Sequence, residues 1–122
     1  MIELKRYPDS PVLEFTLDGA LTRVDFDRVT AAAEEMIEEY GQIRFIEVIR
    51  SFGKIEASAL WADFKWGPKH LKCFSHVAVV SDKKWIEWMI KPFRPFLSAE
   101  IRSFDLDELE DARAWAHAAV KA

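Results

Sequence analysis

Hydrophobic and polar residues alternate near the amino terminus in a pattern that predicts two β-strands. Residues 2–6 predict a short strand. In residues 12–18 the apolar Leu13, Phe15 and Leu17 predict one buried face, and the polar residues between them predict a solvent face. Pro8 and Pro11 bracket a turn, so we expect the two strands to pair antiparallel.

A long amphipathic helix is predicted next, after Gly19 ends the second strand. Thr22 with Asp25 three residues later matches a capping box, and Gly41 suits the residue after the helix. Between them, apolar residues recur at helical spacing and predict one core-facing stripe: Phe26, Val29, Ala33, Met36, Ile37 and Tyr40.

The rest of the chain alternates predicted strands with predicted helices. Residues 43–49, 77–80 and 100–104 read as strands, and helices are predicted over 57–64, over 82–91 and from Asp105 onward. Arg50–Gly53 is predicted to be the turn after the first of these strands. The order β-β-α-β-α-β-α-β-α predicts one α/β domain over residues 1–122, with a mostly parallel sheet and an antiparallel edge strand.

Charge and aromatic residues concentrate in residues 61–96, which we call the aromatic-basic region. It holds eight of the sixteen aromatic residues and a net charge of +4, in a chain whose total is −4. A basic, aromatic surface suits an apolar or amphipathic ligand, or an anionic membrane. The candidate binding residues are Trp61, Phe64, Lys65, Trp66, His70, Lys84, Trp85, Trp88, Met89, Lys91, Phe93 and Phe96.

The helix predicted over 82–91 leaves two alternatives open. Its apolar residues cover an arc of about 200°, at about 100° per residue, which is more than one core-facing stripe needs. Trp85 and Trp88 either pack under the Pro92–Pro95 segment or form a partly exposed patch beside the lysines.

Several functional classes lack support in the sequence. The spacing His70-x-x-Cys73-x-x-His76 matches no established zinc pattern, and no catalytic constellation is present, so we expect a non-enzymatic protein without metal or cofactor. The acidic balance argues against nucleic-acid binding. The single Cys73, and the lack of a signal peptide or membrane span, favour a cytoplasmic location with at most peripheral membrane contact.

Several motifs together carry a family resemblance. They are Gly19-x-Leu21-Thr22-x-x-Asp25, the strand 43–49, Leu60-Trp61-x-Asp63-x-Lys65, the run from His76 to Trp85, and the run from Phe104 to Trp115. In this order they resemble the bacterial SpoIIAA-like proteins of the STAS group, whose fold is similar to CRAL-TRIO lipid-binding domains. The resemblance implies a cytoplasmic STAS-like domain without established enzymatic activity that binds an apolar ligand or a membrane.

The turn after the central strand carries the alternative function. Anti-sigma-factor antagonists of the STAS group have an Asp-Ser-Ser-Gly-like run with a phosphorylatable serine there. The matching residues here are Arg50, Ser51, Phe52 and Gly53. A protein-interaction module acting through Arg50, Ser51 and Phe52 is therefore the alternative, and a homodimer stays open. Because the acidic neighbour and second serine are missing, we predict that Ser51 is not a regulatory phosphosite.

Overall fold

The computed structural model describes residues 2–55, 71–81 and 100–118, which form a five-stranded sheet with two helices. The strands are β1 (Ile2–Arg6), β2 (Val12–Leu21), β3 (Ile43–Ile55), β4 (Phe74–Ser81) and β5 (Glu100–Phe104). The helices are α1 (Arg23–Tyr40) and α2 (Leu109–His117), and 3-10 turns occupy Leu71–Cys73 and Leu106–Glu108. The helices predicted over 57–64 and 82–91 lie outside the described residues.

The sheet confirms the predicted α/β architecture. Its strand order is β1-β2-β3-β4-β5. The edge strand β1 pairs antiparallel with β2, whereas the other three pairings are parallel.

Helix α1 begins and ends where its capping residues predict. The Asp25 N–H donates to Thr22 Oγ1 at 3.1 Å, and the Asp25 carboxylate faces the Thr22 N–H in return. At the other end Gly41 has φ +81°, a conformation that glycine adopts without a steric penalty, and its N–H donates to the Ile37 carbonyl at 2.7 Å.

The two helices cover opposite faces of the sheet. On one face, Ala33 and Met36 of α1 pack in a cluster with Leu13 and Phe45. On the other face, Ala112 and Ala116 of α2 pack in a cluster with Ile46, Val48, Ala78 and Val80. Residues 43–46 and 48 of β3 are buried, which confirms the prediction of a central strand enclosed on both faces.

The predictions that Gly19 ends β2 and that Arg50–Gly53 is a turn were both wrong. Strand β2 continues to Leu21, and β3 continues to Ile55 alongside it. Gly19, at φ +89°, lies between two register shifts, so the glycine permits an irregularity within the ladder instead of ending the strand. Arg50, Ser51 and Phe52 are therefore strand residues.

Two burial predictions were also wrong. Glu14 is only 3% exposed although the alternation placed it on a solvent face, because α2 covers that face of β2. Tyr40, predicted to belong to the core stripe of α1, is 37% exposed in the last turn of that helix.

Candidate functional site

The candidate binding residues of the aromatic-basic region fall in residues 56–70 and 82–99, outside the described residues. The described part of the region is residues 71–81. There Lys72 is exposed, whereas Phe74 is buried with its ring centroid 4.7 Å from that of Phe45. Phe74 is therefore a core residue, and Lys72 is the described basic residue that the region offers to solvent.

Each undescribed segment directly follows the carboxyl end of a strand in the sheet. Residues 56–70 follow Ile55 at the end of β3, and residues 82–99 follow Ser81 at the end of β4. These strands are parallel neighbours, so their carboxyl ends point the same way. In open parallel sheets, ligands bind outside the carboxyl ends of the strands. Both segments therefore follow the carboxyl end of one strand and lead to the elements that begin at Leu71 and Glu100.

Ser51 joins β2 and β3 at the same edge. Its hydroxyl donates to Asp18 Oδ1 at 2.6 Å and accepts from the Gly19 N–H at 2.8 Å. Both Ser51 and Asp18 are exposed. The hydroxyl thus satisfies a backbone N–H where the strand register shifts, which gives Ser51 a local structural role.

Ser51→Ala is expected to lower the free energy of unfolding by about 1 kcal/mol, because both hydrogen bonds are lost at an exposed position. Ser51→Asp is expected to cost more, since a second carboxylate would face Asp18. Urea denaturation measures both changes. Stoichiometric phosphate on Ser51 in protein from its native cells, with loss of partner binding, would contradict a structural role.

A partly buried ionic network connects α2 to β2 and to Tyr7, which follows β1. The Arg113 guanidinium donates to both carboxylate oxygens of Glu14, from Nε at 2.9 Å and from Nη2 at 2.8 Å. The Tyr7 hydroxyl donates to the same carboxylate at 2.6 Å, and Arg113 Nη1 also donates to Glu110 at 2.6 Å. This bidentate arrangement is the strongest geometry for an Arg–carboxylate pair.

The pKa shifts in the network follow from these contacts. Burial alone would raise the pKa of Glu14, but hydrogen bonds from Arg113 and Tyr7 outweigh burial and lower it. Burial and the hydrogen bond to the Glu14 carboxylate raise the pKa of Tyr7 to about 12. Glu14 is therefore held charged and Tyr7 neutral, which suits a structural clamp better than proton transfer.

Arg44 caps the carboxyl end of α2. Its Nη1 donates to the carbonyl oxygens of Ala116 at 2.8 Å and of Ala118 at 2.6 Å. A cation there complements both the terminal carbonyls and the negative end of the helix dipole. Glu47 lies three residues further along β3. Side chains alternate between the two faces of a strand, so Glu47 is on the face opposite to Arg44 and α2.

Two histidines flank this capped end. The His76 ring meets Trp115 edge-on at 5.2 Å, with Nδ1 3.0 Å from Ser75 Oγ and Nε2 3.5 Å from Glu100. The His117 ring meets Tyr7 at 4.4 Å. Burial is the main cause that lowers the pKa of both histidines. The positive charge of Arg44 lowers each pKa further, against the opposing charge of Glu100 at His76 and of Glu14 at His117. Both histidines are therefore neutral at pH 7, and each packs its ring against an aromatic side chain.

Metal ligation has little support among the described residues. There the candidate cluster is Asp105, Asp107 and Glu108, all exposed, whereas Cys73 and His76 belong to no such group. Glu108 accepts the Asp105 N–H at 2.9 Å in a capping box at the start of the 3-10 turn. The capping box thus accounts for Asp105 and Glu108, and Asp107 is an exposed acid between them.

Sequence reasoning missed the network of Glu14, Arg113 and Tyr7. The pattern treated Glu14 as a solvent residue because its neighbours on β2 alternate cleanly. The helix that covers this face begins 95 residues later, at Leu109, so no local pattern shows it. A signal was available, because Glu14 lies on a strand of a sheet that was expected to have helices on both faces.

Comparisons with known proteins place this architecture in a family. The sequence profile of the SpoIIAA-like family matches residues 12–117. A solved structure of an uncharacterized protein with a SpoIIAA-like fold from Shewanella loihica is similar at 27% identity, with a TM-score of 0.72 over 95% of this chain and 92% of that one. No curated protein matches the chain. Among the described residues, no helix is long and apolar enough to cross a membrane. By its profile match and its sheet, the chain belongs to the SpoIIAA-like family.

Proposed function

We propose that this protein is a non-enzymatic binding domain for anionic amphipaths, which have an apolar chain and a negatively charged headgroup. The ligand is contacted through the aromatic-basic region, either as a single molecule or at an anionic membrane surface. The observation that carries the proposal is the segregation of charge and aromatic residues along the chain. Residues 61–96 have a net charge of +4, so the remainder has −8.

The described surface supports this segregation. Helix α1 carries four exposed glutamates, at positions 34, 35, 38 and 39. Exposed acids also follow β5, at Asp105, Asp107 and Glu108. An anionic surface repels both groups and attracts the aromatic-basic region, whose net charge is +4. The protein would therefore approach such a surface in one orientation.

The topology also supports the proposal. The segments with the candidate binding residues follow β3 and β4, whose carboxyl ends lie at the ligand-favouring edge of a parallel sheet. The described part of the region is held in the sheet by the pairing of β4 with β3, and Phe74 belongs to the core beside Phe45. Tryptophan and lysine side chains then supply, respectively, apolar contact and charge attraction.

Neutralising lysines within the region tests the proposal. The variant with Lys65→Gln, Lys84→Gln and Lys91→Gln is expected to bind anionic vesicles at least about tenfold more weakly, because each lysine near such a surface contributes about 1 kcal/mol. The matched control carries Arg23→Gln, Arg28→Gln and Arg102→Gln, which remove the same charge from exposed positions outside the region. Vesicle co-sedimentation at low salt measures both.

Equal losses in the two triple variants would contradict a localised binding surface. Native mass spectrometry with a dissolved anionic lysophospholipid separates the two ligand sources. A 1:1 adduct together with vesicle binding indicates capture of single molecules, whereas vesicle binding without an adduct indicates a surface contact.

The alternative function, protein interaction through Arg50, Ser51 and Phe52, has less support. Arg50 and Ser51 are exposed, but they lie within β3 and not in a protruding turn. The Ser51 hydroxyl is hydrogen-bonded to Asp18 and Gly19. We therefore keep amphipath binding as the proposal.

A further inference from the structure

The edge strand β1 presents a short, charged and exposed side of the sheet. It pairs with β2 on one side, and no strand among the described residues pairs with the other. Glu3, Lys5 and Arg6 are exposed, so their side chains are open to solvent. An unpaired strand edge offers backbone N–H and C=O groups to another strand.

The order of charges along β1 makes this edge complementary to itself. Glu3 and Lys5 lie on one face of the strand, and Leu4 lies between them on the other. We propose that a second copy of this chain pairs antiparallel with β1 about a two-fold axis at Leu4. Glu3 of each copy then faces Lys5 of the other, and the two Leu4 side chains meet.

Neighbouring registers are disfavoured by charge. Residues directly opposite each other in an antiparallel pair point to the same face of the sheet. The two-fold axis therefore passes through a residue of β1, and the neighbouring registers have the axis at Glu3 or at Lys5. A two-fold axis at Glu3 places Glu3 against Glu3, and an axis at Lys5 places Lys5 against Lys5. Like charges directly opposite are destabilising, so only the Leu4 register pairs opposite charges at this position.

The contacts at this edge are compatible with the pairing. Arg6 forms an exposed ion pair with Glu35 of α1 at 3.3 Å, and Arg28 donates to the Ile2 carbonyl at 3.1 Å. Both contacts lie on the α1 side, and a carbonyl oxygen accepts two hydrogen bonds. On the other side Lys5 Nζ lies 5.1 Å from the centroid of the Tyr7 ring, and the flexible stem of a lysine lets the ammonium reach Glu3 of the second copy instead. A five-residue strand gives a small interface, so the dimer is weak and depends on protein concentration.

Charge exchange across the proposed interface provides the test. E3K and K5E are each expected to weaken self-association about tenfold, because each turns both opposite-charge pairs into like-charge pairs. Mixing E3K with K5E is expected to restore association, since every pair across the mixed interface again has opposite charges. Sedimentation velocity over ~10 µM to ~1 mM protein measures the three samples and the wild type.

E38K on the exposed face of α1 is the control for a charge change of the same size, and it is expected to leave self-association unchanged. NMR chemical shifts that depend on concentration are expected at residues 2–6. A wild type that stays monomeric over the whole range, or E3K and K5E samples that do not associate on mixing while both remain folded, would overturn the proposal. The outcome is independent of vesicle binding, which uses other residues.

Discussion

Arg113→Ala is expected to lower the free energy of unfolding by about 3 kcal/mol. The substitution leaves the Glu14 carboxylate, whose side chain is 4% exposed, without its bidentate partner. Breaking a buried ion pair by removing one partner costs about 3–5 kcal/mol. We expect the lower end because the Arg113 side chain is 25% exposed and water can replace part of the lost interaction. Urea denaturation measures the change.

A surface ion pair supplies the control. Arg23→Ala removes the partner of Asp27 four residues along α1, where both side chains are at least half exposed. Such pairs contribute about 0.5 kcal/mol or less. The double variant Glu14→Met with Arg113→Met is expected to cost less than the sum of its single changes, because no orphaned charge remains. A cost for Arg113→Ala no larger than that for Arg23→Ala would show that the network does not hold α2 in place.

The network also has a signature in pH. The pKa of Glu14 is lowered from its ordinary value of 4.5 in the folded protein, so its contribution to stability is present above that value and disappears as the pH falls through the lowered pKa. The pKa of Tyr7 is raised to about 12, so its contribution is present below its ordinary pKa of 10 and disappears as the pH rises toward 12. Glu14→Gln is expected to flatten the acid limb of the stability profile.

Replacing Trp85 and Trp88 together with alanine is expected to abolish most vesicle binding while costing less stability than two buried tryptophans would. The predicted helix over 82–91 has apolar residues on an arc too wide for one sheet face to cover. Trp85 and Trp88, three residues apart, project over adjoining ground on such a helix. A pair of buried Trp→Ala changes would cost about 3–5 kcal/mol each.

Phe74→Ala is the matched control for loss of a buried aromatic side chain. Phe74 is 8% exposed and packs on Phe45, so its removal is expected to cost about 3–5 kcal/mol and to leave binding per folded molecule unchanged. Vesicle co-sedimentation and urea midpoints measure both variants. If the tryptophan variant instead loses stability like Phe74→Ala and binds normally per folded molecule, Trp85 and Trp88 are ordinary core residues.

The parts of the fold with local determinants were predictable from the sequence. The Thr22 and Asp25 capping box and Gly41 fixed both ends of α1, because each acts through contacts within one helical turn. The positions of the strands followed from apolar runs in the sequence. Parallel pairing followed from the alternation of strands and helices.

The errors arose where distant parts of the chain decide the outcome. Glycine at position 19 looked like a strand end, but pairing with β3 carries β2 on to Leu21 through a register shift. Arg50–Gly53 looked like a turn, but the same pairing continues β3 to Ile55. Glu14 looked solvent-exposed because the helix carrying Arg113 follows much later in the sequence. The candidate binding residues were predictable only as a charge and aromatic pattern.

Co-sedimentation of the wild-type protein with vesicles of different charge tests amphipath binding most directly. Phosphatidylglycerol-containing vesicles are expected to pull the protein down in ~10 mM salt and to release it in ~500 mM salt, because exposed charges are screened within a few ångströms at high ionic strength. Phosphatidylcholine vesicles are expected to bind much less at either salt concentration. Equal binding to both vesicle types, or binding to neither, would contradict a binding surface built on the net +4 of residues 61–96.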